Sequence, residues 1–287
     1  MSVLFERMVI VGVGLIGGSL AKAVKEKNLA GEILGIGRSE ERLARAKDQG
    51  IIDGYSVQVD DALSKADLIV VATPVGIIID WIKKMIPFLG KETIVTDVGS
   101  VKKQIVDRVE ELISDSFCFV GSHPIAGTEN SGFEASFPTL FEGRKCIITP
   151  VATTNPKALE RVKELWTRVG STVVCMDAEK HDEVLAAVSH LPHIIAYSMV
   201  NSLLKIEGFE ESILSFSAGG FKDFTRIAAS HSEMWRDIAL MNKDKLIPVI
   251  KLFQDYLNEL KDAIEKGDAD KLFSEFQKSR NFKKLMK

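Results

Sequence analysis

Three segments of this 287-residue sequence carry side chains of types that do chemistry. The first is Gly121-Ser122-His123-Pro124-Ile125-Ala126-Gly127-Thr128-Glu129, directly after an apolar run. Histidine titrates near neutrality and can take a proton from an alcohol. Pro124 pins it, and the glycines let a ligand approach. A structural loop histidine fits the same spacing. The second segment is Asp97-Val98-Gly99-Ser100-Val101-Lys102, where Ser100 sits at the start of a helix and reads as its N-cap, alone or alongside a functional role. The third group lies downstream. Val188-Ser189-His190-Leu191-Pro192-His193 places two histidines three apart, and Ala218 to Arg226 joins glycines, Asp223 and Arg226. Arg226 suits a bidentate clamp on a carboxylate, with an internal salt bridge to Asp223 as the alternative. The histidine pair has metal-like spacing, but only His181 lies near it, so no metal is expected.

Removing a hydride from an alcohol needs a base and an acceptor, and the acceptor's place is readable at the start of the chain. Met8 to Leu20 (MVIVGVGLIGGSL) is an apolar β-branched run, a glycine turn and a helical pattern. Gly12, Gly14 and Gly17, with Leu15 and Ile16 between, match the fingerprint that receives a dinucleotide pyrophosphate on a helix N-terminus. An ordinary tight strand-to-helix turn is the alternative. Thr73 and Pro74 follow the apolar run Leu68 to Ala72, where the chain should leave the sheet beside the cofactor. An NAD site often carries Asp or Glu about 20 residues past the glycines. Here Gly37-Arg38-Ser39 stands instead. Arg38 and Ser39, with Arg42 nearby, could pair a 2′-phosphate, so the expected cofactor is NAD(P), with NADP or dual use favoured. A solvated loop arginine is the other reading.

The elements that position these residues form an α/β pattern. Strand-like runs alternate with helical ones over roughly the first 175 residues, which predicts an N-terminal Rossmann-like doubly wound sheet. After Asp177 only helical periodicity remains, so the boundary falls between a cofactor domain, 1–177, and an all-helical C-terminal dimerisation domain, 178–287. In the helix Lys243 to Lys266, Leu246, Ile250, Phe253, Leu257, Leu260 and Ile264 make a heptad-like seam. It predicts a homodimer through the helical domain. Lys278, Lys283, Lys284 and Lys287 read as the end of a last helix. Hydrophobic residues at 46%, charged residues at 27% and a net charge of −3 give no reason to expect nucleic acid or an anionic membrane. Cys118, Cys146 and Cys175 sit in apolar runs and read as small buried thiols in a reducing compartment. No signal segment and no run of spanning length are evident, and the default location is cytoplasmic.

Taken together, GVGLIGGS, DVGSVK, GSHPIAGTENSG, VSHLPH, GGFKDFTRIA and MWRDI, in that order along nearly the whole chain, resemble the prephenate and arogenate dehydrogenase family of tyrosine biosynthesis. The resemblance implies oxidative decarboxylation of prephenate, or of arogenate, with hydride transfer to NAD(P)+. It makes His123 the catalytic histidine on the ring hydroxyl, and Ser100 a contact to both that histidine and the nicotinamide region. Arg226 becomes the ligand of the ring carboxylate and His193 a ligand of the substrate's far end. Thr128, Glu129 and Trp235 would shape the pocket. The departure from the family pattern is at Gly37-Arg38, where many NAD-using members carry Asp. A β-hydroxyacid-type dehydrogenase would need a catalytic lysine, for which Lys205 and Lys222 qualify only by type. A dinucleotide-sensing regulatory protein would not need His123, Ser100 and Arg226 to converge.

Overall fold

The structure, a computed structural model, describes residues 3–113, 117–206 and 215–285. Eight strands make one sheet in the order β3-β2-β1-β4-β5-β6-β7-β8. They are β1 (Phe5–Val11), β2 (Ala30–Ile36), β3 (Gly54–Ser56), β4 (Leu68–Val71), β5 (Ile94–Asp97), β6 (Cys118–Pro124), β7 (Lys145–Thr149) and β8 (Thr172–Cys175). Between them run α1 (Leu15–Glu26), α2 (Glu40–Asp48), α3 (Ile78–Met85), α4 (Lys103–Glu110) and α5 (Pro156–Arg168). Every pairing is parallel except β6 with β7. This is the expected doubly wound sheet. Its strands read as continuous apolar runs because both faces are covered. Successive side chains of a strand point to opposite faces. Met8, Ile10, Leu68 and Val70 therefore join the core under α1 and α5, while Val9, Val11, Ile69 and Val71 join the core under α3 and α4.

Beyond Cys175 every described regular element is helical: α6 (Ala178–Leu185), a single π-turn at Ala186–His190, α7 (Leu191–Leu203), α8 (Gly219–Thr225), α9 (Ser232–Met241), α10 (Lys243–Glu265) and α11 (Ala269–Leu285). By internal contacts the chain forms two compact units, Met1–Asn242 and Lys243–Lys287. Helices α6 to α9 thus belong with the sheet. In the second unit α11 ends with Lys283 and Lys284 in its last turn; Lys287 lies outside the described residues.

Three expectations are corrected here. Gly121-Ser122-His123-Pro124 is strand, not loop. β6 pairs with β5 only through Val120, and from Gly121 to Pro124 the antiparallel β7 takes over as partner. That second partner carries β6 past the end of its parallel neighbour and places His123 beyond it. Second, Cys146 is buried, but Cys118 is half-buried and Cys175 is exposed. β8 lies at the sheet edge, where one side of the strand has no neighbour. Third, Ala178–Leu203, a helical stretch of 26 residues, is long and apolar enough to cross a membrane by length and composition. His190, His193 and three serines interrupt the apolar run without adding charge, so no unbroken apolar run marks it in the sequence. His181, Asp182 and His190 on this stretch are nonetheless enclosed within the protein.

Candidate active site

At the carboxyl end of β1 the three glycines do three different things. Gly12 has φ +96°, a conformation side chains disfavour, and a Cβ on it would stand 2.7 Å from the Ala72 carbonyl oxygen. At Gly17 a Cβ would run into the carbonyl oxygen of Gly12 and come within 2.9 Å of Ile10 Cγ2, so glycine lets helix α1 lie close on the strand. Gly14, the N-cap of α1, meets nothing within 4 Å. That open space faces a helix start whose first amides have no partner inside the helix. Next to Gly12, the hydroxyl of Thr73 is buried with no hydrogen-bond partner, and Pro74 after it is exposed. An open glycine and an orphaned hydroxyl beside a helix N-terminus fit a dinucleotide, whose phosphates the amides of Leu15 and Ile16 would hold.

The adenosine end is more exposed. Arg38 and Ser39 follow β2 at the surface. The Ser39 side chain caps α2 by accepting from the Arg42 amide at 3.4 Å. Arg42 and Arg45 both reach Glu134, at 3.8 and 3.0 Å.

The chemical centre sits where β5 and β6 end. His123 is 8% exposed. Its Nδ1 lies 2.8 Å from Nε2 of His181, and His181 Nδ1 lies 2.7 Å from Oδ1 of Asp182. Asp182 also accepts from the amides of Lys102 and Lys103, at 2.8 and 2.9 Å. Here Ser100 departs from expectation. Helix α4 starts at Lys103 with Lys102 as N-cap and no cap from that residue's own side chain. The capping oxygens come from Asp182, 80 residues away, so Ser100 is released from capping and lies half-buried in the turn before the helix. Lys102 is fully buried. Its ammonium pairs with Asp97 and donates to the Ser122 carbonyl at 2.9 Å. Asp97 in turn accepts from the amides of Gly99 and Ser122. Asn242 ties on from the other side, donating to the Asp182 carbonyl at 2.9 Å and lying 3.0 Å from His190 Nδ1. Burial pushes His123 well below the ordinary histidine value of 6.5, and neighbouring His181, Lys102 and His190 lower it further. Burial likewise lowers His181, against the Asp182 hydrogen bond, and brings His190 down to about 4. All three imidazoles are therefore neutral at neutral pH, and His123 is available as a proton acceptor.

From His190 the site continues to the remaining candidates. Its ring centroid is 6.0 Å from that of Trp235, on which His193 stacks at 3.5 Å and 20°. Trp235 Nε1 and His190 Nε2 are both buried without partners. His193 is lowered by burial and also by the charge of Arg226, which places that guanidinium within electrostatic reach. Arg226 is exposed and pairs with Glu129 at 3.2 Å rather than with Asp223. Thr128 is exposed and accepts from the Asn130 amide. Four of the chain's five histidines thus fall in one neighbourhood, and no group of three metal-ligating side chains is found among the described residues.

With this geometry in place, two family models match the chain. A "Prephenate dehydrogenase, nucleotide-binding domain" covers residues 20–175, and a "Prephenate dehydrogenase, dimerization domain" covers 177–278. The chain belongs to the prephenate dehydrogenase family. It is an NAD(P)-dependent oxidoreductase. A cyclohexadienyl dehydrogenase of Zymomonas mobilis is 36% identical over 287 residues, 99% of this chain and 97% of that protein. A prephenate dehydrogenase of Bacillus subtilis is 34% identical over 279 residues, 97% of this chain and 75% of that one. The crystal structure of prephenate dehydrogenase from Aquifex aeolicus, in complex with hydroxyphenyl propionate and NAD+, superposes with a TM-score of 0.91 at 39% identity, covering 99% and 98% of the two chains.

Several members of the site were not singled out from this dehydrogenase's sequence: Asp97, Lys102, Ser122, Asp182, Asn242 and, except as a near neighbour of the other histidines, His181. One signal was available. A His-Asp pair opening a helix right after the last strand is polar where an amphipathic helix would place core residues.

Proposed function

We propose that this protein oxidises and decarboxylates prephenate to 4-hydroxyphenylpyruvate in L-tyrosine biosynthesis, with arogenate to tyrosine as the second reading. The carrying observation is the convergence of a neutral, buried His123 beyond the end of β5 with the Trp235–His193–Arg226 cluster. Bound along the glycine turn, a nicotinamide dinucleotide supplies the hydride acceptor. His123 then holds the ring hydroxyl and takes up its proton as the hydride leaves the same carbon. Arg226 holds the ring carboxylate, whose carbon departs as CO2 while its bonding pair passes into the ring. The proton returns to the ring oxygen as the aromatic ring forms. Aromatisation supplies the drive, so the chain's task is to position and polarise. Thr128 and Glu129 border this pocket, and Ser100 in the turn before α4 contacts the histidine and the nicotinamide region. The second reading is favoured by Glu129, whose carboxylate suits the ammonium group of arogenate, and by the cyclohexadienyl dehydrogenase relative.

The same proposal extends to the cofactor and the assembly. Arg38 and Ser39 favour NADP or dual use over strict NAD. Residues 178–287 act as the substrate and dimerisation part, and the homodimer is supported by the matching dimerization model; of the heptad-like seam on α10 Leu246 is buried, whereas Leu257 and Ile264, with Ile247 and Leu252 outside the seam, are each more than half exposed. Three free cysteines accord with a cytoplasmic setting. A steady-state assay crossing prephenate and arogenate with NAD and NADP, with added tyrosine as an inhibitor arm, tests the reading. Turnover of prephenate is expected, and failure of both substrates with both cofactors overturns it. Arg38→Asp should shift preference toward NAD; unchanged preference removes Arg38 from cofactor choice. Sedimentation should give twice the 31.6 kDa chain mass, and a monomer counts against the dimer.

A further inference from the structure

His123 is built into a second arrangement that the reaction above does not use. Its Nδ1 faces Nε2 of His181 at 2.8 Å, with the rings edge to face at 5.0 Å between centroids. His181 Nδ1 in turn faces the Asp182 carboxylate at 2.7 Å. A carboxylate only accepts hydrogen bonds, so His181 must carry its proton on Nδ1. Asp182 is held in that role by the Lys102 and Lys103 amides, which donate to both of its oxygens. His181 is 0% exposed and Lys102 sets a positive charge nearby, so a second proton on its ring is disfavoured. A neutral His181 protonated on Nδ1 presents a lone pair at Nε2. The hydrogen between the two rings therefore belongs to His123 Nδ1, and His123 Nε2 is the unprotonated nitrogen.

We propose that His181, oriented by Asp182, is a positioning residue that fixes His123 as the Nδ1-protonated tautomer, leaving its Nε2 lone pair for the substrate hydroxyl. It acts through His123 and touches neither substrate nor cofactor. The arrangement follows the logic of a serine–histidine–aspartate triad, in which a buried carboxylate sets the tautomer of the working imidazole, with a second imidazole interposed. It also shows why one carboxylate serves two tasks. Asp182 caps α4, and so holds the turn bearing Ser100, with the same oxygens that orient His181. The two halves of the polar site are thereby kept in register.

The kinetic arm rests on the proposed prephenate or arogenate activity, whereas the spectroscopic arm does not. In the full-length protein with 15N-labelled histidine, at neutral pH and with no substrate, the His123 ring should show Nδ1 protonated and Nε2 bare. Protonation on Nε2 overturns the proposal whatever the enzyme turns over. His181→Gln keeps an amide oxygen to accept from His123 Nδ1, whereas His181→Phe keeps bulk and no acceptor. The Phe variant should lose about 10²–10⁴-fold in kcat, the span of general acid–base help, with KM changed much less. The Gln variant should stay within about tenfold of wild type, as expected if the hydrogen bond rather than the imidazole is needed. A Phe variant of normal kcat, or Gln and Phe variants that fall together, overturns the proposal. Should the Phe variant fail to fold, the tautomer of the wild type and the turnover of the Gln variant decide it.

Discussion

His123 and Arg226 should leave opposite kinetic signatures. In the proposed reaction His123 takes the proton of the reacting hydroxyl, so His123→Asn should lower kcat by about 10²–10⁴-fold with substrate KM largely kept. Near-normal turnover in that variant would refute its role. In the proposed reaction Arg226 holds a carboxylate before and during the chemical step. Arg226→Ala should therefore raise KM, by roughly 10- to 100-fold for a charge-assisted hydrogen bond of about 1.5–3 kcal/mol, and leave kcat close to wild type. A buried ion pair would justify a larger figure, but the Arg226 side chain is 59% exposed and its Glu129 partner 43%. Their mutual attraction is correspondingly slight. At this scale the sequence was legible where chemistry is packed into a short motif, as in Gly121 to Glu129 or Ala218 to Arg226. It was not legible where partners meet from afar. Nothing near Ser100 announces that its helix is capped by Asp182, and nothing near His123 announces a hydrogen bond to a histidine 58 residues on.

At the level of elements, the β1–α1 turn allows two glycines to be separated by experiment. Gly17→Ala places a methyl against the Gly12 carbonyl and Ile10, so it should destabilise the fold by about 1–3 kcal/mol of overpacking, read as a lower thermal midpoint. Gly14→Ala meets no protein atom, and its φ of −108° suits alanine. Its melting should be unchanged while the dissociation constant for the dinucleotide rises, by about tenfold for 1.4 kcal/mol of lost contact. Equal melting of both variants would show that helix α1 does not depend on that close approach. The strand–glycine–helix pattern was readable because each piece has its own local signal. β6 was not. Gly-Ser-His-Pro has loop composition, and only β7, more than twenty residues later, supplies the antiparallel ladder that makes it strand. The π-turn at Ala186–His190 was equally hidden, since one widened turn barely disturbs an apolar periodicity.

Across the whole molecule, the buried histidines link activity and stability to acid. His123, His181 and His190 all lie below 6.5 in the folded chain because burial disfavours imidazolium. As pH falls below about 6.5, the unfolded chain takes up protons that the folded chain refuses, so stability declines with pH from there. It levels off once the folded values are passed. His190, at about 4 in the fold, alone withdraws about 3 kcal/mol over that interval. Thermal midpoints measured from neutral pH downward should fall along this profile, and His190→Gln should flatten it. A midpoint constant to about pH 4 would contradict the burial of these rings. The turnover profile should carry its acid limb well below 6.5 for the same reason.

The division of β6 between two neighbours also means that synthesis delivers the parts of the site at different times. By residue 97 synthesis has supplied the segments of the glycine turn and of β1, β2, β4 and β5. The strand segment bearing His123 has no ladder until β7 arrives at Lys145. Its imidazole partner arrives at His181, and the Asn242 hydrogen bonds to Asp182 and His190 come later still. The residues of the glycine turn are thus made early and those around His123 late, and the reactive centre has its full set of partners only once Asn242 has been added.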